Sequence, residues 1–149
     1  MKALKKTDSH AEFRFWGGEL IEQEAGVPVN QYRDLAFIGF AEVIMNLRNI
    51  LSNISFFKQD IKSWDPHVII FVDYPGFNLR IAKWARKEGY KTHFYISPQI
   101  WAWKENRIKD IQRDIDEMYV ILPFEKGFYE EKHNYKVNFV GHPLIDAIA

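Results

Sequence analysis

The chain has 149 residues, 47% hydrophobic and 16% aromatic, enough to bury the core of one globular domain but not of two. Twenty Lys and Arg balance twenty Asp and Glu, which excludes a chain-wide field for nucleic acid or acidic lipid and leaves charge to act in local patches. The absence of cysteine rules out disulfides and thiolate zinc sites, and since no apolar run reaches bilayer length and "MKALKKTDSH" lacks a leader's apolar stretch, a soluble or peripheral protein is expected.

In chain order, "AEFRFWG" (11–17) predicts a strand and "GELIEQEAG" (18–26) a short helix closed by Gly26. Between Ile38 and Trp64, the residues Phe40, Ile44, Leu47, Leu51, Ile54, Phe57, Ile61 and Trp64 recur at spacings of three and four, which predicts one long amphipathic helix. Ala41, Val43, Met45 and Ile50 widen its apolar arc, which suits either burial against a neighbouring element or contact with lipid. Strands are then predicted over 67–73 ("HVIIFVD"), 90–97 ("YKTHFYIS"), 116–122 ("DEMYVIL") and 136–141 ("KVNFVG"). Helices are predicted over 77–89 ("FNLRIAKWARKEG") and 123–132 ("PFEKGFYEEK"). The alternation predicts an α/β, Rossmann-like three-layer sandwich, with a mainly parallel sheet covered by helices on both faces.

Such a domain normally opens with a hydrophobic strand and a glycine-rich turn. This chain starts instead with what reads as the tail of the following helix, and neither G-x-G-x-x-G nor a P-loop pattern occurs, so a fragment of a longer protein is expected.

Candidate chemistry gathers where strands end. "VIIFVDYPGFNL" (68–79) runs a buried strand into Asp73, and a carboxylate there faces the crevice in which such sheets bind ligands. Partial desolvation would make it a stronger base, whereas the alternative is that it caps the next helix, which Asn78 helps to open. In "ISPQIWAWKENR" (96–107) Ser97 and Gln99 precede a loop bearing Trp101 and Trp103, which either plug the domain or wall a site for sugar or acyl chains. From Arg80 to Asp114 nine Lys or Arg face four Asp or Glu, a patch that either meets phosphate or is simply solvated. Glu125 occupies an ordinary first-turn position, and His142, after Gly141, reads as a hydrogen-bonded residue unless a substrate phosphate lies within reach. The remaining histidines lack metal-site spacing, so no metal and no cofactor are expected, and without a G-x-S-x-G elbow no serine hydrolase is.

Taken together, "VDYPGFNLRIAKWARKEG", "YISPQIWAWKENRIKDI", "LPFEKGFYEEK" and "FVGHPLID", in this order and spacing, resemble the lipid-A-disaccharide synthase family, and the likeness extends back through "FRFWGGELIEQEAG" and "LAFIGFAEVIMNLRNIL". The resemblance implies the N-terminal, acceptor-side domain of a GT-B glycosyltransferase over residues 1–149, without its first strand and glycine-containing loop and without the C-terminal domain that binds UDP. It implies metal-free inverting transfer from UDP-2,3-diacylglucosamine to 2,3-diacylglucosamine 1-phosphate (lipid X), with Asp73 as general base. Asn78, Ser97, Gln99, Trp101, Trp103 and His142 are then expected at the substrate, and Val43, Leu47 and Ile50 at the inner face of the cytoplasmic membrane. A homodimer is expected of the full-length protein, and no nucleic acid. The sequence departs from the family pattern at Gly76, where a second Asp is common. Two rival classes are a phospho-accepting receiver domain, disfavoured because "NFVGHP" offers no lysine, and a non-catalytic sugar- or lipid-binding module.

Overall fold

A computed structural model describes residues 2–16 and 47–148, with side chains for 4–16, 53–145 and 148. The chain divides into two units, Met1–Ser55 and Phe56–Ala149. In the first, α1 (Lys2–Thr7) is followed by a turn in which the Asp8 carboxylate accepts the His10 N–H at 2.9 Å. The strand predicted at 11–17 does not form over 11–16. A strand exists only as a member of a ladder, and among the described residues none pairs with this stretch. The helix predicted over 18–26 and the 38–46 part of the long helix, Val43 included, lie outside the described residues, as do the side chains of Leu47 and Ile50.

The long helix is described from Leu47 to Trp64 (α2) and stops where predicted, because Asp65 takes a left-handed conformation at φ 51° and Pro66 follows. Its apolar face in the second unit buries Ile61 and sets Phe57 edge-on to Phe77, ring centroids 6.0 Å apart. No helix among the described residues is long and apolar enough to cross a membrane.

Four parallel strands follow in the order β1 (Val68–Val72), β2 (Lys91–Tyr95), β3 (Glu117–Val120) and β4 (Asn138–Phe139). Helix α3 (Pro75–Lys87) joins the first two and ends at Gly89, whose φ of 91° an L side chain resists. A 3₁₀ turn (Glu105–Arg107) and α4 (Ile108–Asp114), a helix not picked out from periodicity, join β2 to β3. The predicted 123–132 helix forms as α5 (Pro123–Gly127) continued by a π-helical turn (Phe128–Lys132), and α6 (Pro143–Ile148) follows β4.

Strand order has a consequence for the layers. When each strand pairs with the next in sequence, right-handed crossovers all turn the same way and their helices stack on one face. The register bears this out: Ile69, Phe71, Thr92, Phe94, Met118 and Val120 share one face and are buried. The opposite face carries Ile70 and Val72, 46% and 48% exposed, beside the half-buried His93, Tyr95 and Tyr119. Helices covering both faces were expected; among the described residues one face is covered.

Two phenols, the buried Tyr129 and the half-buried Tyr135, fasten this part of the chain to the backbone after β2 and before β3. Tyr129 donates to the Pro98 carbonyl and Tyr135 to that of Ile115, each at 2.9 Å, and burial pushes both hydroxyls well above the ordinary tyrosine range. Below about pH 10 folded and unfolded chains are both protonated there; above it the unfolded tyrosines ionise first, so stability falls by about 1.4 kcal/mol per pH unit for each. Urea unfolding at pH 9 and pH 11 is expected to show this loss, and Tyr129→Phe with Tyr135→Phe to remove most of it; an unchanged midpoint would refute the assignment.

Candidate functional site at the carboxyl ends of the strands

In a parallel sheet every strand ends at the same edge, so the residues after β1, β2, β3 and β4 share one rim. Asp73, Ser97, Leu122 and His142 all follow strand ends in this way. Three strand spacings separate the first from the last, roughly 14 Å.

After β1 the ladder continues to Asp73, whose N–H donates to the Tyr95 carbonyl at 2.9 Å. The backbone then reverses through two consecutive left-handed residues, Asp73 at φ 49° and Tyr74 at φ 46°, before Pro75 opens α3. Each costs about 1–2 kcal/mol for an L residue, and strain of this kind collects at functional sites. Asn78 holds the reversal together by donating to the carbonyls of Val72 at 3.2 Å and Asp73 at 2.7 Å. Both amide hydrogens are thereby committed to the turn, leaving its side-chain oxygen. The cap of α3 is Tyr74, with no side-chain capping bond, so the Asp73 carboxylate does not cap the helix as the alternative reading held. It makes no side-chain hydrogen bond among the described residues and is exposed, where partial burial was expected. A side chain built at Gly76 would meet open space, so the turn itself accommodates the second acid common in the family pattern.

After β2 the chain passes through Ile96 at φ 64°, an outlier for a β-branched residue, into the buried Ser97. Ser97 donates to Glu125 Oε1 at 2.6 Å and the Trp101 indole donates to the same oxygen at 3.2 Å. Glu125 Oε2 accepts the backbone N–H groups of Ile121 at 3.1 Å and Leu122 at 2.8 Å. Glu125 is 1% exposed, so four donors from the ends of two strands converge on one buried carboxylate. Trp101 also lies edge-on to Phe124 at 4.9 Å. The two tryptophans therefore divide the alternatives between them: Trp101 is a fastening, while Trp103 is 59% exposed with the Lys104 ammonium 4.3 Å from its ring centroid. Gln99 is exposed beside them.

After β4, Gly141 at φ 79° leads to His142, whose Nδ1 accepts the Leu144 N–H at 3.2 Å and which therefore carries its neutral-form proton on Nε2. The basic stretch is partly neutralised: Arg86 pairs with Asp116 at 2.6 Å, and Arg113 pairs with Asp110 and Asp114. The structure thus brings Ser97 and Trp101 together around Glu125, joins Asp73 to Asn78 in one turn, and sets His142 at the far end of the rim. Glu125 is the residue sequence reasoning undervalued. Its reach back to the Ile121 and Leu122 N–H groups is a local helix-start signal, but its two side-chain partners lie 28 and 24 residues away.

A parallel α/β domain with strained turns, a carboxylate and a clamped tryptophan loop on its carboxyl-end rim is of the Rossmann-like, ligand-binding class. The family described as "LpxB: Lipid-A-disaccharide synthetase" matches residues 1–149. Similar proteins named lipid-A-disaccharide synthase occur in Coxiella burnetii (strain Dugway 5J108-111), 42% identical over 147 residues, covering 98% of this chain and 39% of the relative. Others occur in Trichlorobacter lovleyi (39% identical, covering 99% and 38%) and Syntrophus aciditrophicus (41% identical, covering 91% and 36%). The chain belongs to the lipid-A-disaccharide synthase family of glycosyltransferases and spans about two fifths of the length of these relatives.

Proposed function

We propose that the chain is the acceptor-side part of an inverting glycosyltransferase that joins UDP-2,3-diacylglucosamine to lipid X, releasing UDP and a tetraacyl disaccharide 1-phosphate. The observation that carries this reading is the Asp73 carboxylate, turned out of the sheet by two left-handed residues and committed to no structural bond among the described residues. The acceptor's primary hydroxyl oxygen forms the new bond to the anomeric carbon as the bond to UDP breaks. UDP leaves with that electron pair, and the hydroxyl proton passes to Asp73. A base within hydrogen-bond reach contributes about 10²–10⁴-fold to such a step.

The remainder of the enzyme, which the relatives possess beyond the matched two fifths, supplies the UDP-binding domain and the surface that desolvates Asp73 when the cleft closes. Gln99, Trp103 and His142 line the acceptor side of this cleft, and Asn78, Ser97 and Trp101 hold its walls. The diacyl substrates draw the protein to the inner face of the cytoplasmic membrane, with Val43, Leu47 and Ile50 as the contact, and the full-length enzyme works as a homodimer.

The test is to complete the chain with the portion of the Coxiella burnetii relative that it does not span and to supply both substrates. UDP and disaccharide are expected in equal amounts from the completed enzyme and not from the 149-residue chain. A folded completed enzyme that makes no disaccharide would overturn the reading.

A further inference from the structure

Strand β1 stands at one edge of the sheet, paired on one side with β2 and, among the described residues, with no strand on the other. One bond fixes the direction of its backbone groups. The Asp73 N–H donates to the Tyr95 carbonyl at 2.9 Å, on the β2 side. Because successive groups alternate along a strand, Ile69 and Phe71 also bond toward β2, while the N–H and C=O groups of Val68, Ile70 and Val72 point to the open edge. Asn78 takes one lone pair of the Val72 carbonyl and leaves the other.

Sheet edges are ordinarily blunted by charge, proline, a bulge or brevity. β1 has none of these: its five residues are VIIFV, and its register with β2 is unbroken. Ile70 and Val72, exposed on the uncovered face, make the strip beside the open backbone apolar. The opposite edge shows the contrast. β4 is two residues long, the exposed Lys136 precedes it, and Asn138 is bonded to Glu117 at 2.8 Å.

The open edge of β1 is its own complement. About a two-fold axis at Ile70, an antiparallel second copy sets Ile70 against Ile70, each donating to and accepting from the other, and Val68 against Val72. Every outward group of one copy then meets an opposite group of the other. The same register brings the exposed His67 opposite the exposed Asp73 of the second copy at both ends of the pairing, a donor against an acceptor. We propose that the 149-residue chain associates with a second copy of itself by antiparallel pairing of the two β1 edges, joining two four-stranded sheets into one. A single strand edge is a small interface, so the association is reversible and concentration-dependent. It does not rest on the function proposed above.

The chain has no cysteine, so a single one introduced by substitution reports its position. In a hydrogen-bonded antiparallel pair the opposed Cα atoms lie about 5.5 Å apart, within disulfide reach. Ile70→Cys is therefore expected to oxidise to a covalent dimer, and Val140→Cys, similarly exposed but beyond β4, to remain mainly monomeric at the same concentration. Sedimentation of the unsubstituted chain is expected to give the mass of one chain when dilute and of two when concentrated. Ile70→Lys puts two ammonium groups across the axis and should weaken association by about tenfold or more. His67→Glu opposes two carboxylates at each end and should weaken it several-fold. All three positions are exposed, and matching unfolding midpoints will show that the variants are folded. A chain that stays monomeric at every concentration has its edge covered from within and overturns the proposal. Equal cross-linking of Ile70→Cys and Val140→Cys overturns it too, as does association that neither Ile70→Lys nor His67→Glu weakens. None of these results bears on glycosyl transfer, which is read from disaccharide formation by the completed enzyme.

Discussion

Replacing Asp73 by Asn in the completed enzyme is expected to lower kcat for disaccharide formation by about 10²–10⁴-fold and to leave KM for both substrates within a few-fold. Asn is the informative substitution for a backbone reason. Residue 73 sits at φ 49°, a region that Asp and Asn tolerate better than other L residues, so Asn preserves the turn while removing the proton acceptor. Alanine would confound the two. The carboxylate caps no helix, so the variant's unfolding free energy is expected within about 0.5 kcal/mol of the parent. Turnover near the parental rate would remove Asp73 from the mechanism; loss of substrate binding instead of turnover would make it a ligand for the acceptor rather than its base.

Glu125→Ala is expected to destabilise the chain by about 3–5 kcal/mol, the range for stranding buried partners of a charged group. Truncation would leave the Ser97 hydroxyl, the Trp101 indole N–H and two backbone N–H groups without their acceptor in a site only 1% exposed. Glu125→Gln keeps the shape and one carbonyl oxygen but sets an amide N–H₂ against donors, so an intermediate loss is expected. Ser97→Ala removes a single donor and should lose about 1 kcal/mol. Urea unfolding of the three variants measures the series. A loss under 1 kcal/mol for Glu125→Ala would mean that water or rearranged side chains replace the carboxylate, and the loop carrying Trp103 would then owe its position to something else.

Several features were legible from local pattern alone. The β-branched and aromatic runs at 68–72, 91–95 and 117–120, each closed within a few residues by Gly, Pro or Asp, form the central ladder close to where periodicity put them. The place of Asp73 at a strand end follows from the same pattern, because a buried apolar run that meets a carboxylate must surface there. The order of motifs carries the family, since the chemistry of each strand end is written within a dozen residues of that strand.

Other features depend on pairing across long stretches of chain, and no local pattern contains them. Residues 11–16 have strand composition but no strand, since a ladder needs a partner and composition does not supply one. The one-faced burial of the sheet among the described residues follows from strand order, which side-chain periodicity does not encode. That Asp73 does not cap the next helix turned on two backbone angles and on Asn78, five residues on, bonding to the Asp73 carbonyl. Glu125 shows the limit most clearly: in sequence it is an acid in the first turn of a short helix, and in the fold it fastens Ser97 and Trp101 from 28 and 24 residues away. Periodicity reports which face of an element is apolar, and so the elements and their order were readable in the residues. Which buried donor meets which acceptor is set when those elements pack, and that assembly made one tryptophan of the pair a fastening and left the other open.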